Sequence, residues 1–189
     1  MKKSLRKQEI INKSEILFKE KGYSAVTMRD IATVMGMKAA SLYNHIKSKQ
    51  EILSLIILSL AEQFTAGMDA IVASDKTTLE KLQEIIALHI QITSDHPSGM
   101  ASLNANWMHL EEKLDYYFEL RDGYEENFRK IIVAGIEKNE ISEVNPEVLL
   151  FSMLSTLRSL YLWIPKKEDV NIKDLDADLS KVLLKGVMF

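Results

Sequence analysis

Residues 27–46, TMRDIATVMGMKAASLYNHI, constrain the chain more than any other stretch. Thr27, with Asp30 three positions on, forms a capping box, in which each side chain can satisfy a backbone N–H left free at a helix start. Ile31, Val34 and Met35 then recur at helical spacing and give one apolar face. Ala32 is small where a second helix must cross. Gly36 falls where the chain has to turn, and a positive φ is sterically cheap only for glycine. Met37 re-enters the core, and residues 38–46 read as a second short helix. On it Leu42 and Ile46 face inward, whereas Lys38, Ala39, Ser41 and Asn44 face out. A helix, a glycine turn and a short helix with small polar outer residues make the helix-turn-helix pattern, whose second helix enters the major groove of DNA.

The flanking residues sharpen this reading. ILFKEKGYSAVTMRDIATVMGM followed by SLYNHIKSKQEIL resembles the DNA-binding domain of the TetR family of bacterial transcriptional regulators. The resemblance rests on Lys21, Gly22, Tyr23, Thr27, Leu42, Tyr43, His45, Ile46, Lys47, Ser48, Lys49 and Glu51, many residue types coinciding at fixed spacing. It covers Ile10 to Leu53, roughly the first third of the chain. It implies an all-α fold: an N-terminal three-helix DNA-binding domain, residues 4–64, followed by a helical effector-binding and dimerisation domain, residues 65–189.

Charge is distributed to match. Residues 1–50 hold eleven Lys and Arg against four acids, whereas the remainder holds 13 bases and 23 acids. A basic head on an acidic body suits a polyanion held at one end. Most charge runs are solvated faces; beside a helix-turn-helix, nucleic acid is the better reading. There is no cysteine, which excludes disulfides, thiolate metal sites and cysteine nucleophiles. The start, MKKSLRKQEII, lacks the apolar run of a signal peptide. The most apolar stretch, residues 52–61, is short of the ~20 residues that span a bilayer. A cytoplasmic protein with no membrane partner is therefore expected.

Periodicity and breakers predict about nine helices and no strand. The first spans residues 5–21 and is ended by Gly22; the next two are those already described. Ser48 and Glu51 suggest a second capping box, opening a helix to about residue 73, about 39 Å long at ~1.5 Å per residue. Further helices are expected over 78–94, 100–108, 111–138, 146–164 (Asn145 as cap, Pro146 first) and 174–187. The basic start, Lys2 to Lys7, is either a flexible arm adding phosphate contacts or a solvated terminus.

Phosphates give affinity and base edges give sequence. The resemblance implies backbone contacts from Thr27, Tyr43, His45 and Lys49, to which Arg29 and Lys47 are added. Base reading falls to Lys38, Ala39, Ala40, Ser41 and Asn44. Lysine can donate to guanine, asparagine can pair with adenine, and alanine can touch a thymine methyl. One such unit buries too little for tight binding, so a homodimer on a palindromic operator is expected, its half-sites about one turn, ~34–36 Å, apart or wider. The residue 146–164 helix is apolar on more than one stripe. Leu150, Leu154, Leu157 and Tyr161, with Leu179 and Leu183 of the last helix, are the candidate dimer interface.

Aromatic and methionine residues recur at helical spacing through residues 75–164. That is ordinary core, or the wall of an apolar pocket for a small-molecule effector. The candidate pocket residues are Asn104, Trp107, Met108, Tyr117, Phe118, Arg121 and Phe151, with Asn106 and His109 as further polar groups. The run from His109 to Arg129 resembles relatives that respond to acyl-coenzyme A compounds. His89, His96 and His109 show no metal-ligand spacing, and no cofactor is expected. No catalytic motif is present, so an enzyme is not expected. The rival is a helical interaction protein that has lost sequence-specific DNA binding; the intact Thr27, Gly36, Tyr43 and Lys49 weigh against it.

Overall fold

The computed structural model describes residues 2–167 and 171–188. Among them the chain is all-α. Its helices are α1 (Lys2–Lys21), α2 (Met28–Val34), α3 (Ala39–Leu42), α4 (Lys49–Ala73), α5 (Thr78–Asp95), α6 (Pro97–Ala105), α7 (Leu114–Glu137), α8 (Pro146–Trp163) and α9 (Ile172–Leu184). Short 3-10 turns lie at Trp107–His109, Glu111–Lys113 and Ile164–Lys166. The middle of the charged connection before α9, residues 168–170, lies outside the described residues.

Two compact units divide these helices. The first takes the described residues up to Ala61 together with Pro97–Tyr117. Its core is Ile10, Phe18, Ile31, Leu42, Ile46, Ile52 and Leu53, all 0–2% exposed. α1 packs on α2 and, along its other side, on α6. The second unit takes Glu62–His96 and the described residues from Phe118 on. It is built around Met68, Leu82, Ile85, Phe128, Ile132, Met153 and Leu157, with α5 packed on α8 and α9.

Local chemistry explains most boundaries. Gly22 and Gly36 both carry positive φ, +80° and +62°, and end α1 and turn α2 into α3. Thr27 and Asp30 form the full capping box. At α4 the box is half made. Ser48 Oγ accepts the Glu51 N–H (3.0 Å), but the Glu51 carboxylate takes the Lys47 N–H (2.7 Å) and the Lys7 ammonium (2.8 Å) instead. A box missed in the sequence reading, Thr77 with Glu80, starts α5. Pro97 stands at the first position of α6, so the helix expected from residue 100 opens three residues earlier.

Three expectations are corrected. The helix predicted over 38–46 has α-geometry only over Ala39–Leu42; beyond it Asn44 N–H donates to Ser41 O (3.3 Å) and His45 N–H to Leu42 O (2.9 Å), a tighter coil. Lys2 to Lys7 belong to α1 and are no free arm, and Arg6 donates to Met35 O (3.1 Å) at the end of α2. Two helices, α4 and the stretch Pro146–Lys166, are long and apolar enough to cross a membrane by composition. The ten-residue limit read from the sequence was thus too short, because α4 continues past Ala61. Both helices bury apolar faces inside the protein.

On α7, two glycines behave oppositely. A Cβ on Gly135 would stand 2.4 Å from Thr78 Cγ2, with Thr78 buried at the start of α5. Gly123 has nothing within 4 Å. Gly135→Ala is expected to destabilise by about 1–3 kcal/mol through overpacking, and Gly123→Ala to stabilise by about 0.5–1 kcal/mol through helix entropy. Urea unfolding of the two variants checks the opposite signs.

Candidate nucleic-acid interface and interior polar sites

The helix-turn-helix exposes one polar face. Thr27, Arg29, Lys38, Ala40, Ser41, Tyr43, Asn44 and Lys47 are exposed, whereas Ala39, His45 and Lys49 are half-buried. Tyr43 is 53% exposed although it sits between the buried Leu42 and Ile46, so its phenol projects away from the core. Thr27 is committed locally. Its hydroxyl donates to Asp30 Oδ2 (2.6 Å) and accepts from the Asp30 N–H (3.2 Å), and its own N–H goes to the same carboxylate (2.8 Å). The hydroxyl and N–H of Thr27 hold the Asp30 carboxyl below the usual range. His45 keeps a buried Nδ1 without a partner.

Lys49 is placed differently from a phosphate-reaching lysine. Its ammonium donates to Tyr23 O (2.7 Å), Val26 O (2.8 Å) and, more weakly, Ser24 O (3.4 Å), and lies 4.3 Å from the Tyr23 ring centre. Three carbonyls of the turn before α2 are thereby satisfied by one side chain, and desolvation lowers the Lys49 pKa. The same turn is held from a second side. Tyr23 Oη donates to Gln50 Oε1 (2.6 Å), Gln50 Nε2 donates to His109 O, and the His109 ring lies 5.1 Å from that of Tyr23. The link through Gln50 and His109 was not legible in the sequence, since its members are 59 residues apart.

The seven candidate pocket residues do not gather in one unit. Asn104, Trp107, Met108 and Tyr117 belong to the first; Phe118, Arg121 and Phe151 belong to the second. Asn104 Nδ2 is spent on Met100 O (2.9 Å), Trp107 stacks on Tyr117 (6.2 Å), and Arg121 lies over Phe118 (4.8 Å). Met108 is 50% and Phe151 70% exposed, so neither walls an enclosed cavity within its own unit. The interior polar group that the sequence reading weighed only as a metal ligand is His89. It is buried against Phe64 (4.6 Å), its Nε2 is 2.9 Å from Tyr124 Oη, and its Nδ1 has no partner. Thr93, one turn along α5, is also buried with an unpartnered Oγ1. A histidine among isoleucines on the apolar face of α5 was the available signal. Burial, reinforced by the Arg158 charge, drives the His89 pKa down to about 3, and burial pushes the Tyr124 hydroxyl up.

The candidate dimer residues also need correction. Leu150, Leu154 and Leu157 are 6%, 3% and 0% exposed, packed inside their own unit. Tyr161, Leu179 and Leu183 are half-buried. The outward large apolar side chains of α8 are Val148, Phe151, Leu162 and Trp163, and those of α9 are Ile172 and Val182. A helix apolar on several stripes does not reveal which stripe its own chain covers. Among the described residues no group of three or more His, Asp or Glu could hold a metal ion.

An exposed polar face on a short helix, held behind a glycine turn by an apolar core, defines a helix-turn-helix DNA-binding regulator. Residues 10–56 match the family model "Bacterial regulatory proteins, tetR family", and residues 75–187 match "Tetracyclin repressor-like, C-terminal domain". The chain belongs to the TetR family of transcriptional regulators. It is 24% identical over 188 residues to the HTH-type transcriptional repressor KstR2 of Rhodococcus jostii (strain RHA1), covering 98% of this chain and 92% of that protein. Its fold matches the ketosteroid transcriptional regulator KstR2 of Mycobacterium tuberculosis with a TM-score of 0.91 at 20% identity, over 97% and 95% of the two chains. It also matches AibR in complex with isovaleryl coenzyme A and operator DNA, with a TM-score of 0.77 at 19% identity, over 94% and 97%.

Two predictions follow from the site geometry. Lys49→Met is expected to lower thermal stability by several degrees, because Val26 O and Ser24 O lose the ammonium and Tyr23 O keeps only the Val26 N–H, whereas Tyr43→Phe leaves the melting temperature unchanged. Differential scanning calorimetry separates them. His89 titrates near 3 when folded, against 6.5 as an unperturbed side chain. Between those values the unfolded chain takes up a proton that the folded chain refuses, so stability falls as pH drops through that window. The melting temperature of His89→Gln is expected to fall less steeply than that of the native chain between pH 6.5 and 4.5.

Proposed function

We propose that the chain is a homodimeric repressor that binds a palindromic operator through α2 and α3 and leaves it when a small amphipathic effector binds the body. The observation that carries this is the outward face of α3. Lys38, Ala40, Ser41 and Asn44 are exposed there for base edges, and Tyr43 and Lys47 beside them for phosphates. Arg29 and the free N–H groups at the start of α2 add to the phosphate-facing side. Thr27 acts chiefly as the cap that aims those groups, and Lys49 as the residue that holds the preceding turn. Residues 4–64 form the DNA-reading part in this reading, and residues 65–189 hold the effector and the dimer contact. The protein then works in the cytoplasm, where its DNA is.

The dimer is assigned to the outward side of α8 with α9. Val148, Phe151 and Leu162 are exposed along α8, where Ser152, Ser155 and Ser159 between them allow a second helix to approach closely, and Val182 is exposed on α9. For the effector, the resemblance of residues 109–129 to acyl-coenzyme A responders agrees with the isovaleryl coenzyme A held by AibR. An acyl-coenzyme A thioester is therefore the class to test. The unpartnered His89 Nδ1 and Thr93 Oγ1 supply two buried polar atoms for such a ligand. A ligand releases DNA only by binding the released state better.

The test is fluorescence anisotropy with duplex from upstream of the chain's own gene, at two salt concentrations, followed by titration with isovaleryl and palmitoyl coenzyme A. Specific, salt-sensitive binding by a dimer is expected, with Tyr43→Ala weakening it and removal of a phosphate contact lowering the salt slope by about one. Salt-insensitive or absent binding, after refolding to strip any ligand, sinks the regulator in favour of an interaction protein.

A further inference from the structure

Residues 97–117 follow α5 of the second unit in sequence, yet they belong to the unit that carries the helix-turn-helix. What fastens them there is specific. The 3-10 turn Trp107–His109 offers the His109 carbonyl to Gln50 Nε2, in the first turn of α4. Gln50 Oε1 in turn accepts from Tyr23 Oη at 2.6 Å, and the His109 ring covers the Tyr23 ring at 5.1 Å. Tyr23 also packs edge-on against Phe18 of α1 at 5.2 Å. Tyr23 opens the turn that ends at Thr27, the cap of α2, and Lys49 grips the carbonyls of that same turn. Just beyond His109, Glu111 is held at φ +48°, a left-handed conformation that side chains with a Cβ resist. A strained segment stays in place only while its surroundings hold it.

The segment has no other route through the chain. At one end it joins α5, which ends at Asp95; at the other it runs into α7, most of which lies in the second unit. Peptide bonds join residues 107–113 to α5 and α7, and α4 is the other helix shared by the two units. From residues 107–113 the Gln50 side chain and the His109 ring lead to the turn that aims α2.

We propose that Tyr23, Gln50 and His109 form a releasable clamp, through which the state of residues 107–113 sets the alignment of α2 and α3 for specific DNA. This rests on the reading of the chain as a DNA-binding regulator. Clamped, the turn at residues 23–26 is rigid and the two helices keep one geometry. Released, they remain folded, through Ile31, Leu42 and Ile46, but lose the fixed orientation that base reading needs. Gln50 and His109 are thus positioning residues that touch no DNA.

The clamp can be cut on one side at a time. Gln50→Glu keeps an acceptor for Tyr23 but has no donor for the His109 carbonyl. Tyr23→Phe leaves the Gln50–His109 bond and removes the other. Gln50→Ala removes both. Hydrogen–deuterium exchange on the full chain reads peptides covering 22–27 and 105–113. Anisotropy reads binding to the upstream duplex and, at low salt, to an unrelated duplex. Gln50→Glu and Gln50→Ala are expected to raise exchange in both peptides about tenfold. They should weaken binding to the upstream duplex by about 5–10-fold, within the usual range of coupling between sites, and leave binding to the unrelated duplex unchanged. Tyr23→Phe should raise exchange in residues 22–27 and spare 105–113. Unchanged exchange at 105–113 in Gln50→Glu overturns the clamp. So does raised exchange with specific binding intact, or an equal loss on both duplexes, which marks a general loss of fold. If the native chain itself binds neither duplex, the regulator reading fails and the clamp's role in DNA recognition falls with it, whatever the exchange shows.

Discussion

A four-residue helix is marginal in water, because nucleation costs more than so few hydrogen bonds return. α3, Ala39–Leu42, is such a helix, and α2 has only seven residues. Both exist because Leu42, Ile46 and Ile31 are almost wholly withdrawn from water beside Phe18 and Ile10 of α1. Complete burial of side chains of this size contributes roughly 1.5–3 kcal/mol each. The outward residues of α3 contribute little to that sum, which is what frees them to be small and polar. The exposed polar surface of the helix-turn-helix is thus a by-product of a core built behind it.

Backbone groups around this core are satisfied by a few side chains with more than one task. The turn between α1 and α2 leaves carbonyls at Tyr23, Ser24 and Val26, and one lysine covers all three. Of these, Val26 O is part-buried, and leaving such a group unpaired would cost about 1–3 kcal/mol. The Glu51 carboxylate links the start of α4 to Lys7 of α1, and those hydrogen bonds hold its pKa below the ordinary value against the upward pull of desolvation. These contacts tie α1, the turn and α4 into one body. The head therefore responds as a unit to whatever holds its turn.

The second unit follows another economy. Its helices are apolar on several stripes and can bury one side inside the chain while presenting another. α8 packs Leu150, Met153, Leu154 and Leu157 inward and keeps Val148, Phe151 and Leu162 outward. Gly135 and Thr78 meet too closely for any side chain between α7 and α5. Against this dense packing, His89 Nδ1, Thr93 Oγ1 and Ser94 Oγ are buried and unpartnered polar atoms on α5. Buried polar atoms are usually paired, and these three lie within about one and a half turns of one helix.

The helical class, the helix-turn-helix and most helix limits were legible in the sequence, because they depend on local chemistry. Thr27 with Asp30, Gly22, Gly36, and Asn145 before Pro146 act within a few residues of themselves. The exposed character of Lys38, Ser41 and Asn44 followed from the same short-range periodicity, whereas Ala39, expected to face out with them, is half-buried. What the sequence could not decide was which partner a side chain chooses when several are within reach. Lys49 turned from a phosphate contact into a clamp on carbonyls, and Leu150, Leu154 and Leu157 from an interface into a core. Asn104, Trp107, Met108 and Tyr117 fell to the head and Phe118, Arg121 and Phe151 to the body. Each of these outcomes depends on residues distant in the chain, and only the packing of whole helices brings those residues together.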